Sequence, residues 1–379
     1  MKHLPLSLYV HLPWCVRKCP YCDFNSHEIK NGSFPEHEYV DALVRDLEFS
    51  AGLFQGREPV SVFLGGGTPS VMSPGAIGAI LEAVDAVSGL SGTAEITLEA
   101  NPGTADSERF AAYRNLGVNR LSIGVQSFKD AGLAAIGRIH DGDEAVSAVE
   151  TAVGAGCSNI NIDLMYGLPG QTVADAMADL AAAVSLEPVH ISWYQLTIEP
   201  NTVFHAKPPP LPGDDLTWEM QNCGEEYLAG QGYRQYEVSA WSRPGSECRH
   251  NLNYWEFGDY IGVGAGAHGK ITNGTVTRQS RLRVPQSYMR AAGSDAAIAA
   301  TRTLNEQDCI LEFMLNALRL KDGVPLSRFS ARTGLAPVRV QAQVDAARAD
   351  GLLEDEPSLL KATEKGARYL NDLLQYFMS

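Results

Sequence analysis

Between residues 7 and 200 the chain alternates short apolar runs with longer stretches of helical periodicity, and few folds accept that pattern. The runs are Ser7–Leu12, Val60–Leu64, Glu95–Glu99, Arg120–Val125, Asn159–Met165 and His190–Thr197; helical periodicity fills about 36–53, 74–88, 106–116, 143–155 and 171–186. Continuous apolar runs separated by helices predict parallel strands covered on both faces. Their crossovers are right-handed, so successive strands curl into an arc or barrel. The regular alternation stops near residue 200, short of the roughly 250 residues of a complete eight-unit barrel. The expected fold class is therefore α/β, a partial (β/α)6 barrel resembling part of a TIM barrel. Ligands of such folds sit at the C-terminal strand ends. The segments HLPWC, LGGGTP, LEANP, GVQSF and LMYGLP fall there.

This reading assigns residues 1–205 to the barrel. A proline-rich breaker at Lys207–Gly213 then opens a connecting segment, 206–300, with a helix at Trp218–Gln231 and an alternating strand at Tyr233–Ser242. From 301 to 379, helices at Gln307–Leu318, Pro325–Thr333 and Ala336–Asp350, followed by a turn at Asp355–Pro357, predict a winged-helix-like domain. That tail carries 10 basic and 11 acidic residues, and the whole chain has a net charge of −15. The balance argues against nucleic acid as the partner and makes the tail a docking or lid domain. No run approaches the ~18 to 20 apolar residues of a membrane span. The N-terminal apolar stretch is too short for a signal peptide, so a cytoplasmic location is expected.

Seven cysteines are present, three of them in Cys15-Val-Arg-Lys-Cys19-Pro-Tyr-Cys22. Three thiols this close after a first strand suit a metal centre in a reducing compartment better than disulfides. Three ligands leave Zn²⁺ with an open position, or a four-iron cluster with one uncommitted iron. A zinc knuckle completed by His11 or His27 is the alternative. Cys157, Cys223 and Cys309 lie in apolar or helical surroundings and read as ordinary buried residues.

CxxxCxYC after one strand and Gly65-Gly66-Gly67-Thr68-Pro69 after the next resemble the radical S-adenosylmethionine (SAM) superfamily over nearly the whole chain. The resemblance implies that Cys15, Cys19 and Cys22 bind a [4Fe–4S] cluster whose fourth iron is chelated by SAM. A reduced cluster would then cleave SAM to a deoxyadenosyl radical, which calls for an electron donor. Carried over from the HemN-like branch, Gly66, Gly67 and Thr68 receive the methionine part. Glu99, Gln126, Arg138 and Asp163 are further polar SAM contacts, and Tyr9 and Tyr21 flank the cysteines. The chemistry is apt: carboxylates and amides hold ribose hydroxyls, and an arginine pairs with a carboxylate.

Within that branch the sequence resembles the HemW group of haem chaperones more than the oxygen-independent coproporphyrinogen III oxidases. The oxidases carry a further cysteine two residues past the third ligand, where this chain has Asp23 and Phe24, and a long extension where only 14 residues precede Cys15. The segment Arg249-His250-Asn251-Leu252-Asn253-Tyr254-Trp255 holds HNxxYW, similar to the haem-binding signature of that group. His250, Asn251, Tyr254 and Trp255 are thus the haem candidates, with Cys248, His250, Tyr254 and His268 open as the iron ligand. The resemblance implies delivery of haem to acceptors such as respiratory enzymes. It leaves room for a homodimer and for peripheral contact with a membrane. Oxidative decarboxylation of coproporphyrinogen III is the alternative activity. The glycine-rich Gly262–His268 lacks the helix and acidic residue of a dinucleotide site and reads as a close-packed loop at the barrel mouth.

Overall fold

Six of the apolar runs become strands that pair in parallel in chain order: β1 Leu6–Leu12, β2 Ser61–Gly66, β3 Glu95–Ala100, β4 Arg120–Gln126, β5 Ile160–Tyr166 and β6 His190–Gln195. The computed structural model describes residues 4–104 and 106–378. Crossover helices α1 (Glu36–Phe49), α2 (Pro74–Ser88), α3 (Ser107–Asn115), α4 (Gly142–Gly154) and α5 (Val173–Ser185) lie between them. Their starts are set locally. Ser73 and Asp106 cap α2 and α3, while Asp141 with Glu144 and Thr172 with Asp175 form capping boxes on α4 and α5.

Burial runs along nearly the whole of each strand, as the sequence predicts, but apolarity does not. One face (Leu8, Val62, Leu98, Ile123, Ile162, Ile191) packs on Leu43, Ile77, Phe110, Val149 and Leu180 of the helices. Each such side chain contributes about 1.5 to 3 kcal/mol by leaving water. The alternate positions carry Ser7, Ser61, Thr97, Ser122, Asn161, Asp163 and His190, so the concave face is polar.

Residues 206–300, read as a connector, extend this same sheet at both ends. After α6 (Asp214–Gly230), the expected single strand at 233–242 is two short antiparallel strands, β7 (Arg234–Glu237) and β8 (Ala240–Ser242), with β8 beside β6. The chain then forms α7 (Arg249–Trp255) and returns as β9 (Asp259–Val263), parallel to β1 at the other side of the arc. Strands β10 (His268–Asn273), β11 (Thr275–Arg281) and β12 (Ile298–Thr303) follow antiparallel, giving twelve strands in the order β12-β11-β10-β9-β1-β2-β3-β4-β5-β6-β8-β7. The helix α7 therefore bridges the arc's two sides.

The tail builds a separate apolar cluster around Phe313, Phe329, Val344, Leu360 and Phe377. Helices α8 (Glu306–Ala317), α9 (Leu326–Thr333) and α10 (Gln341–Ala349) surround it, with Val324–Pro325 paired to Leu359–Leu360 as a small wing. No helix among the described residues is long and apolar enough to cross a membrane.

Candidate functional site

The cysteine loop leaves β1 at the C-terminal end of the barrel and is fastened from both sides. Lys18 Nζ donates to the carbonyls of Phe24 (3.0 Å) and Ser26 (3.3 Å), and Asn25 Nδ2 donates to those of Ala265 and Arg283 (both 2.8 Å). A Cβ on Gly266 would lie 2.5 Å from Asn25 Nδ2, so the turn at 264–267 packs closely on the cysteine loop, while Gly262 and His268, expected in that loop, lie in strands. Cys15, Cys19 and Cys22 all line one cavity of about 490 Å³. Burial pushes the Cys15 thiol up to about 11 and raises that of Cys22. Such thiols hold their protons until a metal displaces them.

The residues do not suit a zinc knuckle completed by His11. Among the described residues no three His, Cys, Asp or Glu side chains are grouped to hold a single metal ion, so the thiols border a space and do not meet at a point. Both ring nitrogens of His11 are engaged, Nδ1 by the Tyr9 hydroxyl and Nε2 at the Asn25 carbonyl (both 2.9 Å). His11 thus completes no tetrahedron.

Gly66, Gly67 and Thr68 line the cavity beside the thiols, with Thr68 Oγ1 donating to Cys15 Sγ at 3.5 Å. Gly66 has φ +116°, and a Cβ on Gly67 would sit 2.5 Å from the Trp14 carbonyl oxygen. Neither position accepts a side chain without moving the backbone. Glu99 Oε2 receives the Gly66 N–H at 3.0 Å, and burial raises its carboxyl to about 7, the Asp163 charge adding to the effect. Gln126 is a non-glycine residue at φ +69°, beside a register shift in the β4–β5 pairing. Strain of this kind re-aims a side chain; Gln126 lines the cavity, with Tyr194 donating to its Oε1 at 2.8 Å. Arg138 Nη2 donates to Asn101 Oδ1 (2.7 Å) and the Gly124 carbonyl (2.6 Å), Nη1 lies 3.8 Å from Cys19 Sγ, and Nε is buried without a partner among the described residues.

Of the residues expected around SAM, Tyr21, Gly66, Gly67, Thr68, Glu99, Gln126, Arg138 and Asp163 share the cavity, and Tyr9 does not line it. Tyr9 packs on Phe63 behind it. The cavity also takes in Asn101, Ser122, Ser192 and Tyr194, which the sequence reading left out. Their signal was present: each is a polar or phenolic residue in or just past a strand, on the face opposite the apolar one.

Helix α7 divides the HNxxYW residues between two faces. Asn251 and Trp255 line the cavity opposite the cysteine loop. His250 and Tyr254, also four apart, turn to the barrel wall. His250 is 2% exposed, with Nδ1 2.9 Å from Ser61 Oγ, its ring 4.9 Å from Phe63 and 4.7 Å from Tyr254, and Nε2 unpartnered among the described residues. Burial lowers its imidazole to about 3, so it is neutral. Cys248 is closed off too: its thiol lies 3.5 Å from Glu95 Oε1 and burial pushes it up to about 12. His268 is exposed on β10.

Residues 9–182 match the radical SAM superfamily and residues 304–369 the HemN C-terminal domain. The chain is 47% identical over 377 residues to the haem chaperone HemW of Escherichia coli (strain K12), covering 99% of this chain and 98% of that protein. It is 45% identical over 381 residues to the haem chaperone HemW of Haemophilus influenzae, with the same two coverages of 99% and 98%. Against that of Mycobacterium tuberculosis (strain ATCC 25618 / H37Rv) it is 34% identical over 368 residues, 96% of this chain and 92% of the relative. The solved coproporphyrinogen III oxidase (HemN) of Escherichia coli matches with a TM-score of 0.84 at 24% identity, over 100% of this chain and 91% of that one, a likeness of fold.

Proposed function

Since the chain belongs to the HemW family of haem chaperones within the radical SAM superfamily, we propose that it binds haem beside a [4Fe–4S] cluster and SAM and passes the haem to acceptor proteins. The observation that carries this reading is that the HNxxYW helix walls the same cavity as the three cysteines. Cys15, Cys19 and Cys22 would hold the cluster, which when reduced supplies an electron to SAM's sulfonium. Gly66, Gly67 and Thr68 offer backbone and hydroxyl to the methionine part. Glu99, Gln126 and Asp163 offer acceptors to ribose hydroxyls, and Arg138 a cation to the carboxylate. Tyr21 presents an aromatic face at the same rim.

For haem, Trp255 offers a flat apolar face and Asn251 a polar group already on the cavity. His250 Nε2 is neutral and unpartnered, the state an iron ligand needs, but it is turned to the wall. Ligation by His250 therefore requires α7 to shift. The acceptors are haem-requiring proteins, respiratory enzymes among them, and an electron donor is a further partner.

The test is anaerobic reconstitution of the full chain, followed by haem titration of wild type and His250→Ala. Wild type is expected to take up the cluster and bind haem, and His250→Ala to bind it at least about tenfold more weakly. Equal affinities remove His250 from the site. Cys19→Ala is expected to lose the visible absorption of the cluster. Turnover of coproporphyrinogen III to protoporphyrinogen IX with reductant and SAM would overturn the chaperone reading in favour of the oxidase.

A further inference from the structure

One unbroken chain of hydrogen bonds joins the cavity carboxylate of Asp163 to the head of α7. Asn161 Nδ2 donates to Asp163 Oδ1 (2.8 Å) and to Ser122 Oγ (2.8 Å), so its Oδ1 must accept, and it faces His190 Nδ1 at 2.6 Å. His190 Nε2 lies 2.9 Å from the Tyr236 hydroxyl, and the backbone N–H of Cys248 donates to that same oxygen at 3.3 Å. Burial keeps His190 neutral, which leaves it a single proton. With Asn161 accepting, that proton sits on Nδ1, Nε2 accepts from Tyr236, and Tyr236 accepts from Cys248. The donors from Cys248 through Tyr236 and His190 to Asn161 then all point one way, toward Asp163. Glu95 closes the other side of the helix head, its Oε1 and Oε2 taking the N–H groups of His250 and Arg249 (both 3.0 Å).

The helix held by these contacts is poorly satisfied elsewhere. Three of the eleven buried side-chain polar atoms without a partner among the described residues lie on its seven residues: His250 Nε2, Asn253 Oδ1 and Trp255 Nε1. An unpartnered buried group costs its desolvation energy. The observed seat of α7 leaves the desolvation of these groups uncompensated, so the contacts at the helix head weigh heavily in holding it there.

We propose that His190 and Tyr236 are positioning residues that couple the SAM side of the cavity to α7, so that SAM on Asp163 holds the HNxxYW helix against the barrel wall. This rests on the reading of Asp163 as a SAM contact. A ligand hydroxyl on Asp163 fixes the carboxylate, which fixes the Asn161 amide and, through one tautomer, the hydrogen bond that seats Cys248. By linkage, whatever moves α7 out weakens SAM to the same degree.

The experiment is amide hydrogen exchange over Cys248–Trp255 in the cluster-reconstituted full chain, without reductant, with and without saturating SAM. SAM is expected to slow exchange of this helix at least about fivefold in wild type, the lower end of ordinary coupling. In Tyr236→Phe, which removes both links of the hydroxyl, and in His190→Gln, which interrupts the chain at another atom, the slowing is expected to vanish while SAM still binds. Tyr233→Phe removes a buried hydroxyl that donates to the Pro188 carbonyl at 2.6 Å, outside the chain, and is expected to behave as wild type. Retained slowing in Tyr236→Phe or His190→Gln, or equal loss in Tyr233→Phe, overturns the coupling. So does a wild-type helix indifferent to SAM. Haem titration of the same samples separates the two readings: haem bound equally with and without SAM sinks the coupling alone, and no haem bound sinks the chaperone assignment.

Discussion

The two ends of the barrel interior are built from the same polar strand positions and put to opposite uses. At the cysteine end Glu99, Gln126, Arg138 and Asp163 border an open space of about 490 Å³, and Arg138 Nε has no partner among the described residues. At the other end most of the inward groups bond one another, although Thr97 Oγ1, His250 Nε2 and Asn253 Oδ1 lack partners among the described residues. Ser7 Oγ meets Ser61 Oγ at 2.8 Å, Asn253 Nδ2 donates to Ser7 Oγ at 2.9 Å, and Asp259 joins Arg57 (2.7 Å) to Lys270 (3.1 Å). Residue type does not separate the two ends; the passage of α7 across the arc does. Polar groups beyond its reach face ligand and water, and those beneath it mostly pair with one another.

The sharpest way to break this contrast is to remove a charge from the closed end. Lys270 Nζ donates to the carbonyls of Phe257 and Gly258 and to Thr272 Oγ1 as well as to Asp259, and it is 1% exposed. Asp259→Ala leaves two buried cations facing each other without their anion, which costs about 3 to 5 kcal/mol. Burial already brings the Lys270 ammonium down to about 8, so it sheds its proton more readily than an ordinary lysine, and the loss should shrink as pH rises past that value. Urea unfolding at pH 7 and pH 9 measures both effects. A loss of under about 1 kcal/mol would mean the closed end does not carry the load assigned to it. Asp163→Ala at the open end should cost less, since Ser122, one of its donors, lines the cavity.

A smaller effect comes from the open end's own carboxylate. Glu99 has its carboxyl raised to about 7, against an unfolded value near 4.5, chiefly by burial. A raised value favours the protonated group in the folded chain. Its contribution is therefore complete below the unfolded value and is lost as pH rises through about 7. At 1.36 kcal/mol per unit the swing is roughly 3 kcal/mol at most. Glu99→Gln mimics the neutral form and keeps an acceptor for the Gly66 N–H. The variant should match wild type near pH 4.5 and exceed it in stability above pH 7, in the absence of SAM. Parallel stability–pH curves for the two proteins would show that Glu99 is solvated after all.

How much of this could be read from the chain follows the same division. The six parallel strands and the cysteine loop were legible because each outer strand face is a compact apolar run and CxxxCxYC is local. Strands β9 to β12 were not. β9 finds its partner β1 some 250 residues back, with Leu6 opposite Asp259. β11 reads Thr-Val-Thr-Arg-Gln-Ser-Arg, half-buried and without an apolar face. Polar strands of this kind are fixed by tertiary pairing and by buried ion pairs such as Asp46–Arg281 at 3.0 Å, which no local pattern announces. HNxxYW was legible as a motif, but its split between wall and cavity was not, because the face each residue shows depends on where the helix crosses the arc.

The smallest predicted effect tests whether the tail reaches the open end through Trp255. Arg319, just past α8, sits 4.3 Å over the Trp255 ring and donates to Glu237 Oε2 at 2.9 Å. Glu237 and Trp255 both line the cavity, so this arginine braces its wall from outside. Lysine can keep the ion pair but has no planar group to lay on the indole. Arg319→Lys should therefore lose only the stacking, about 0.5 to 1 kcal/mol, because the side chain is part exposed. Its local consequence should outrun that figure: a Trp255 freed on one face shifts its emission, read by subtracting the spectrum of Trp255→Phe. An unchanged emission would mean that α7 holds the indole by itself. In that case the open wall would be as self-contained as the closed end, and the tail would act on the cavity only by covering it.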